Sequence, residues 1–159
     1  MDKTTNIAGL DGEIRGGEHW QPVRVYYEDT DFTGIVYHAS YLRFMERGRS
    51  NYLRLLGADQ RALFAQAERE APGFAFVVRA MTIQFRKPAR MDDVLDIVTA
   101  PKEVKGASVV LHQRVMRGGD LLIEADVQVA FVSGERARPI PKALRQAMSA
   151  GRPPESAAR

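Results

Sequence analysis

The sequence predicts an α+β domain in which a long central helix is wrapped by a five-stranded antiparallel sheet. Three observations carry that expectation: helical spacing is confined to one stretch of the chain, strand-like segments flank it, and the links between later strands are too short for parallel crossovers. Residues 22–28 read as the first strand, with Val23, Val25 and Tyr27 on one face and Arg24, Tyr26 and Glu28 on the other. A turn at 29–34 follows, built of the Asp, Thr and Gly residues that tight turns favour. From 40 to 56 the period becomes helical: Tyr41, Met45, Gly48, Tyr52 and Leu55 form a stripe widened by Leu42, Leu53 and Leu56. Ser40 suits the N-cap of this helix and Gly57 its C′ position. Gly48 costs about 1 kcal/mol of helix propensity relative to alanine, so its presence predicts a close approach of helix to sheet. A weaker helix covers 58–70 and stops before Ala71-Pro72-Gly73. Four strands remain, at 76–86, 94–100, 108–116 and 121–132, with Arg117-Gly118-Gly119-Asp120 as a hairpin signal between the last two. A short basic helix is expected at 142–148.

At 159 residues, 45% hydrophobic and 27% charged, the chain has the size of one domain. Neither end carries apolar periodicity, which predicts a flexible tail at 1–19, a folded domain at 20–149 and a second flexible tail at 150–159. The net charge of +3 first points to nucleic acid or a membrane surface. Its distribution argues otherwise. Residues 1–133 hold 17 basic and 18 acidic side chains, whereas 134–159 hold 6 and 2, so the surplus belongs to the C-terminal end. The absence of cysteine removes disulfides, thiolate zinc sites and a cysteine nucleophile. A polar N-terminus without a signal-like apolar stretch, and no apolar run near the roughly 20 residues that span a bilayer, predict a cytoplasmic protein.

Candidate chemistry concentrates at residues 26–38, Tyr-Tyr-Glu-Asp-Thr-Asp-Phe-Thr-Gly-Ile-Val-Tyr-His, where carboxylates, a histidine and a helix N-terminus come together. Unpaired N–H groups at a helix start stabilise a developing oxyanion, and a nearby carboxylate can attack a carbonyl or deprotonate water. The competing reading is structural, with Asp29 and Asp31 making turn hydrogen bonds and His38 standing at the helix entry. Three other chemistries fail on paper. A calcium loop beginning at Asp29 would need Glu where Ser40 stands. A haloacid-dehalogenase-type phosphatase would share Asp29-Thr-Asp31-Phe-Thr33 but needs a parallel sheet with crossover helices. A metal site finds only His19, His38 and His112, without a helical pair at ligand spacing, so no metal or cofactor is expected.

Val25-Tyr-Tyr-Glu-Asp-Thr-Asp31, Gly34-Ile-Val-Tyr-His38, Tyr41-Leu and Glu46-Arg-Gly-Arg49 closely resemble the hydroxybenzoyl-CoA thioesterase family of hotdog-fold proteins, and within it the Tol-Pal-associated, YbgC-like branch. The resemblance extends through residues 76–82, 88–93 and 139–142. It implies hydrolysis of an acyl-CoA thioester to free acid and CoA without a metal. The family's catalytic aspartate falls on Asp31, as nucleophile or general base, and the branch's histidine on His38. Backbone N–H groups around Val36, Tyr37 and His38 become candidates for the oxyanion site, with Val36 and Tyr37 also near the acyl pocket. Arg86, Lys87, Arg90 and Lys105 are candidates for CoA phosphates. Phe32 and Thr33 stand where relatives carry smaller residues. The resemblance also implies a homo-oligomer, dimer or tetramer, and admits a peripheral position at the inner membrane with envelope or lipid-metabolism partners. Two rival readings stand beside the thioesterase: a non-catalytic acyl-binding or scaffold protein of the Tol-Pal system, and a hotdog acyl dehydratase.

Overall fold

The computed structural model describes residues 9–151. Strand β1 (Glu13–Arg15) and β2 (Glu18–Arg24) form a hairpin, and the helix α1 (His38–Asp59) runs almost directly into α2 (Arg61–Glu70). The chain then lays down β3 (Ala75–Phe85), β4 (Val94–Val104), β5 (Ser108–Arg117) and β6 (Asp120–Ser133). It ends with a short β7 (Arg136–Ala137) and α3 (Lys142–Ala150). The sheet order is β1-β2-β4-β5-β6-β3, with β7 on β6, and every pairing is antiparallel. The expected α+β class and the helix-on-sheet layout are therefore present, with two short strands added to the predicted five.

One face of the sheet packs on α1. The helix buries Tyr41, Phe44, Met45, Gly48 and Tyr52, and the strands answer with alternate residues such as Leu95 and Ile97, Val109, Leu111 and Val115, and Val127, Val129 and Phe131. Gly48 does what its sequence position predicted. A Cβ there would lie 2.9 Å from Ile97 Cγ2, 3.1 Å from Thr99 Oγ1 and 3.3 Å from Gln113 Nε2. The space it leaves lets the buried Gln113 side chain donate to the Met45 carbonyl at 2.9 Å and to Thr99 Oγ1 at 2.8 Å, while its own oxygen accepts from Arg49 at 3.0 Å. The opposite face of the sheet carries charge. His112 sits between Asp126 at 2.8 Å and Glu124 at 3.3 Å, and Lys102 and Arg86 close the ends of that row on the same two carboxylates.

Several boundaries differ from the sequence reading, each for a local reason. The boundary at 20 cuts through β2; residues 13–19 of the expected N-terminal tail lie in the sheet or its hairpin. What holds this segment is polar contact, which hydropathy patterning does not register: His19 Nε2 meets the Asp11 carbonyl at 2.8 Å, Arg54 pairs with Asp11 at 3.2 Å, and Gln21 and Asn51 donate to the Leu10 carbonyl. Residues 1–8 and 152–159, the outer parts of the two expected tails, lie outside the described residues. The first strand ends at Arg24, so Tyr27 leaves the face of Val23 and Val25 and stands 79% exposed on a 3-10 turn at Tyr27–Asp29. Ser40 is not the N-cap of α1. Tyr37 holds that position, capped from the main chain as its N–H donates to Asp29 O. Gly57 does not end the helix either, because its bare Cα makes room for the Phe64 ring of α2. Leu42 is exposed rather than part of the buried stripe. In β6 the alternation slips at Leu122, which is buried beside Ile123 where the pairing with β5 shifts register. Among the described residues no helix is long and apolar enough to cross a membrane.

Two stability measurements follow. Gly48→Ala gains about 1 kcal/mol of helix propensity but drives a methyl into Ile97 and Thr99, where overpacking costs about 1–3 kcal/mol. Its urea midpoint is expected to fall below wild type, and an unchanged midpoint would show that helix and sheet part freely. His19 is fully buried, and because the Asp11 carbonyl only accepts, the ring proton sits on Nε2 and leaves Nδ1 without a partner. Burial pushes its pKa below the ordinary value, against smaller opposing pulls from Asp11. The neutral form is thus favoured in the fold. Its stability contribution is complete above the unfolded pKa of about 6.5 and is lost as pH falls below that. The urea midpoint should drop between about pH 7.5 and about pH 5.5, and drop less in His19→Gln.

Candidate active site

The junction between β2 and α1 is built from main-chain bonds before any side chain acts. Asp31 N–H donates to Ile35 O at 2.9 Å and Gly34 N–H to Asp31 O at 3.0 Å, closing a turn that needs Gly34 at φ +83. A bridge joins Thr30 to Val36 and another joins Ile35 to Arg90. Val36 N–H donates to Ala89 O at 2.8 Å and Tyr37 N–H to Asp29 O at 2.9 Å. The turn is thereby sewn to itself and to the loop that enters β4. Asp29 has the structural role: its carboxylate accepts from Tyr26 N–H at 2.8 Å.

Asp31 is different. Its Oδ1 accepts from Thr33 N–H at 2.8 Å and from the Thr33 hydroxyl at 2.5 Å, while Oδ2 has no donor among the described residues. Those bonds, the hydroxyl first and then the backbone N–H, hold its carboxyl below the ordinary carboxylate range, with weak desolvation opposing them and a smaller attraction from His38. His38 opens α1, with its ring 4.5 Å from that of Tyr37 and edge-on to Phe85 at 6.2 Å.

The expected oxyanion donors require a correction. The N–H groups of Val36 and Tyr37 are already bonded to Ala89 and Asp29, and Ser40 N–H donates to Tyr37 O. Of the first-turn amides, those of His38 and Ala39 are left without an intrahelical acceptor. Sequence spacing located the helix start but not which of its donors the preceding loop consumes.

Beside this junction lies an apolar cleft of about 310 Å³, lined by Ile35, Val36, His38, Tyr41, Phe85, Pro88 and Ile123, with Arg86 and Lys87 at its edge. Val36 lines this cleft; Tyr37 does not, and remains half-exposed beside His38. Tyr41, Phe85 and Ile123 were missed as site residues because each also satisfies a core pattern. The signal was a tyrosine, whose polar tip needs a partner, on the first turn of the buried stripe. That tip accepts from Ala89 N–H at 3.0 Å, and burial raises the Tyr41 pKa. Of the four cations proposed for phosphate, Arg86 is held by Glu124 at 2.9 Å, Lys87 by Asp120 at 3.1 Å, and Arg90 lies on the bridge to Ile35. Lys105 is not brought to them. It follows β4 at its far end, roughly 35 Å away at about 3.3 Å per strand residue, where it lies 3.8 Å from Glu103.

Residues 25–148 match the sequence family described as the thioesterase-like superfamily. The chain belongs to that superfamily. The hotdog fold that its motifs implied is the fold of its structural neighbours. The acyl-CoA thioesterase YbgC of Haemophilus influenzae is 44% identical over 128 residues, covering 79% of this chain and 90% of that protein. The acyl-CoA thioester hydrolase YbgC of Escherichia coli O6:H1 is 44% identical over 126 residues, covering 77% and 90%. Among solved structures, a mutant of 4-hydroxybenzoyl CoA thioesterase complexed with 4-hydroxybenzoyl CoA superposes with a TM-score of 0.67 at 26% identity, covering 82% of this chain and 98% of that one.

Tyr41→Phe should lower unfolding free energy by about 1–3 kcal/mol, because it strands the buried Ala89 N–H. Tyr37→Phe, at a half-exposed position whose hydroxyl has no hydrogen-bond partner among the described residues, should change it by no more than about 0.5 kcal/mol. Equal effects in urea denaturation would show that the Tyr41 hydroxyl is not what holds this wall.

Proposed function

We propose that this protein hydrolyses acyl-CoA thioesters to the free acid and CoA, with Asp31 as the reacting carboxylate. The observation that carries this reading is the Asp31 side chain itself: an accessible carboxylate, bonded through one oxygen and open at the other, on the loop that delivers the unpaired amides of α1. Superfamily membership and the 44% identity to proteins named acyl-CoA thioesterase support the substrate class.

A carboxyl held below its ordinary range is a poor proton acceptor at neutral pH but is ionised without help. This favours nucleophilic attack over general-base activation of water. Oδ2 attacks the thioester carbonyl carbon, and the carbonyl oxygen becomes an oxyanion received by the His38 and Ala39 N–H groups. The oxyanion collapses, the C–S bond breaks, and CoA leaves as a thiolate that takes a proton from solvent, matching the one released to solvent when water cleaves the anhydride. An acyl-aspartyl anhydride remains. Water adds to it and the anhydride C–O bond breaks, releasing the acid and restoring the Asp31 carboxylate.

The apolar walls of the cleft, Phe85, Ile123 and Pro88 among them, suit the acyl group, and Arg86 and Lys87 at its edge suit the phosphates of CoA. Strand β3 ends the sheet with one edge unpaired among the described residues, and Val77 and Val78 along it are exposed. Pairing of that edge with a second copy, giving a homo-oligomer, is part of the reading.

The test is thiol release from short-chain, long-chain and aromatic acyl-CoAs by wild type and Asp31→Asn. Wild type should turn over at least one class, and Asp31→Asn should lose about 100-fold or more in kcat. Equal turnover by the two proteins would remove Asp31 from the chemistry. Absence of thiol release from every substrate would move the acyl-binding reading ahead.

A further inference from the structure

We propose that Thr33 is a positioning residue for this reaction: its hydroxyl and N–H together pin Oδ1 of Asp31 and so select Oδ2 as the attacking atom. The inference rests on the reading of Asp31 above and adds to it a residue with its own test.

The turn does not need the hydroxyl. Asp31 N–H to Ile35 O, Gly34 N–H to Asp31 O and the Thr30 to Val36 bridge close it from the main chain. The bond from Thr33 N–H to Asp31 Oδ1 is likewise one that any residue but proline supplies. The 2.5 Å bond from the Thr33 hydroxyl is specific to the side chain, and Asp31 is its only recorded acceptor among the described residues. Thr33 is exposed and takes no part in the apolar core, so packing does not account for it.

An accessible aspartate ordinarily rotates about χ2 and hydrates both oxygens equally. Two donors converging on one oxygen fix that rotation, and a β-branched donor with few χ1 choices holds the geometry at low entropic cost. The reacting oxygen then meets substrate in one orientation, which is where a unimolecular step gains most. The two bonds also stabilise the ionised form, consistent with the depressed pKa of Asp31.

Three variants decide the matter: Thr33→Val, which keeps shape and loses the hydroxyl, Thr33→Ser, which keeps the hydroxyl, and Asp31→Asn. Thr33→Val should reduce kcat about three- to tenfold, the worth of one hydrogen bond, and leave KM within about twofold, since the bond acts on the reacting oxygen rather than on substrate binding. In pH-jump assays too brief for unfolding, the acid limb of kcat/KM should move to higher pH, because a carboxylate with one donor fewer protonates sooner. Thr33→Ser should restore both readouts, and all three proteins should share the wild-type melting temperature. Wild-type kcat and an unmoved acid limb in Thr33→Val, with Asp31→Asn inactive, would overturn the role of Thr33 alone. A serine variant as impaired as the valine variant would also overturn it. Full activity in Asp31→Asn would remove the reading on which the proposal stands.

Discussion

At Gly48 the long helix lies closer to the sheet than any side chain would allow, and Gln113 uses the gap to hydrogen-bond the Met45 carbonyl. This fixes α1 along its axis as well as in height. About two turns from Gly48 toward the N-terminus, Tyr41 accepts from Ala89 N–H, and the Ala89 carbonyl in turn accepts from Val36 N–H. The helix start and the turn before it therefore hang from a single point at the entry to β4. The position of Asp31 relative to the cleft is an outcome of that chain of bonds, which begins more than two helical turns away.

The molecule separates neutral and charged titratable groups by depth. Tyr52, buried against the sheet, has its pKa pushed up to about 12 by burial, and burial lowers that of His19, whose ring lies 6.4 Å from the Tyr52 ring. Asp31 stands where water and two donors keep it ionised. Burial would raise its pKa. The turn that carries it is largely exposed, and burial on α1 begins only at Tyr41.

Much of this was legible in the residues. Period-2 strands, a helical stripe and a glycine in its middle were enough to set helix against sheet, because each encodes burial directly. The Asp-Thr-Asp turn beside a helix start marked the candidate site for a similar reason, since few other arrangements bring those groups together. What escaped the sequence was held by polar or main-chain contacts. The β1 and β2 hairpin depends on His19, Gln21 and Asp11, none of which registers in an apolar pattern. The loss of Val36 and Tyr37 as oxyanion donors depends on which carbonyls the loop turns toward them, a matter of backbone geometry with no side-chain signature. Tyr41 was legible as core and not as cleft wall because the same ring does both.

The register of β3 shifts against β6 between Val78 and Ala80, leaving Arg79 as an extra residue near the middle of the strand. An irregularity of this kind bends and twists the strand that carries it. On an edge that is otherwise unpaired, it works as a lock on the choice of neighbour. A flat foreign strand can continue the ladder on one side of Arg79 but loses register on the other, which blunts indiscriminate aggregation. Any partner strand, a second copy included, has to follow that kink to pair along the whole edge.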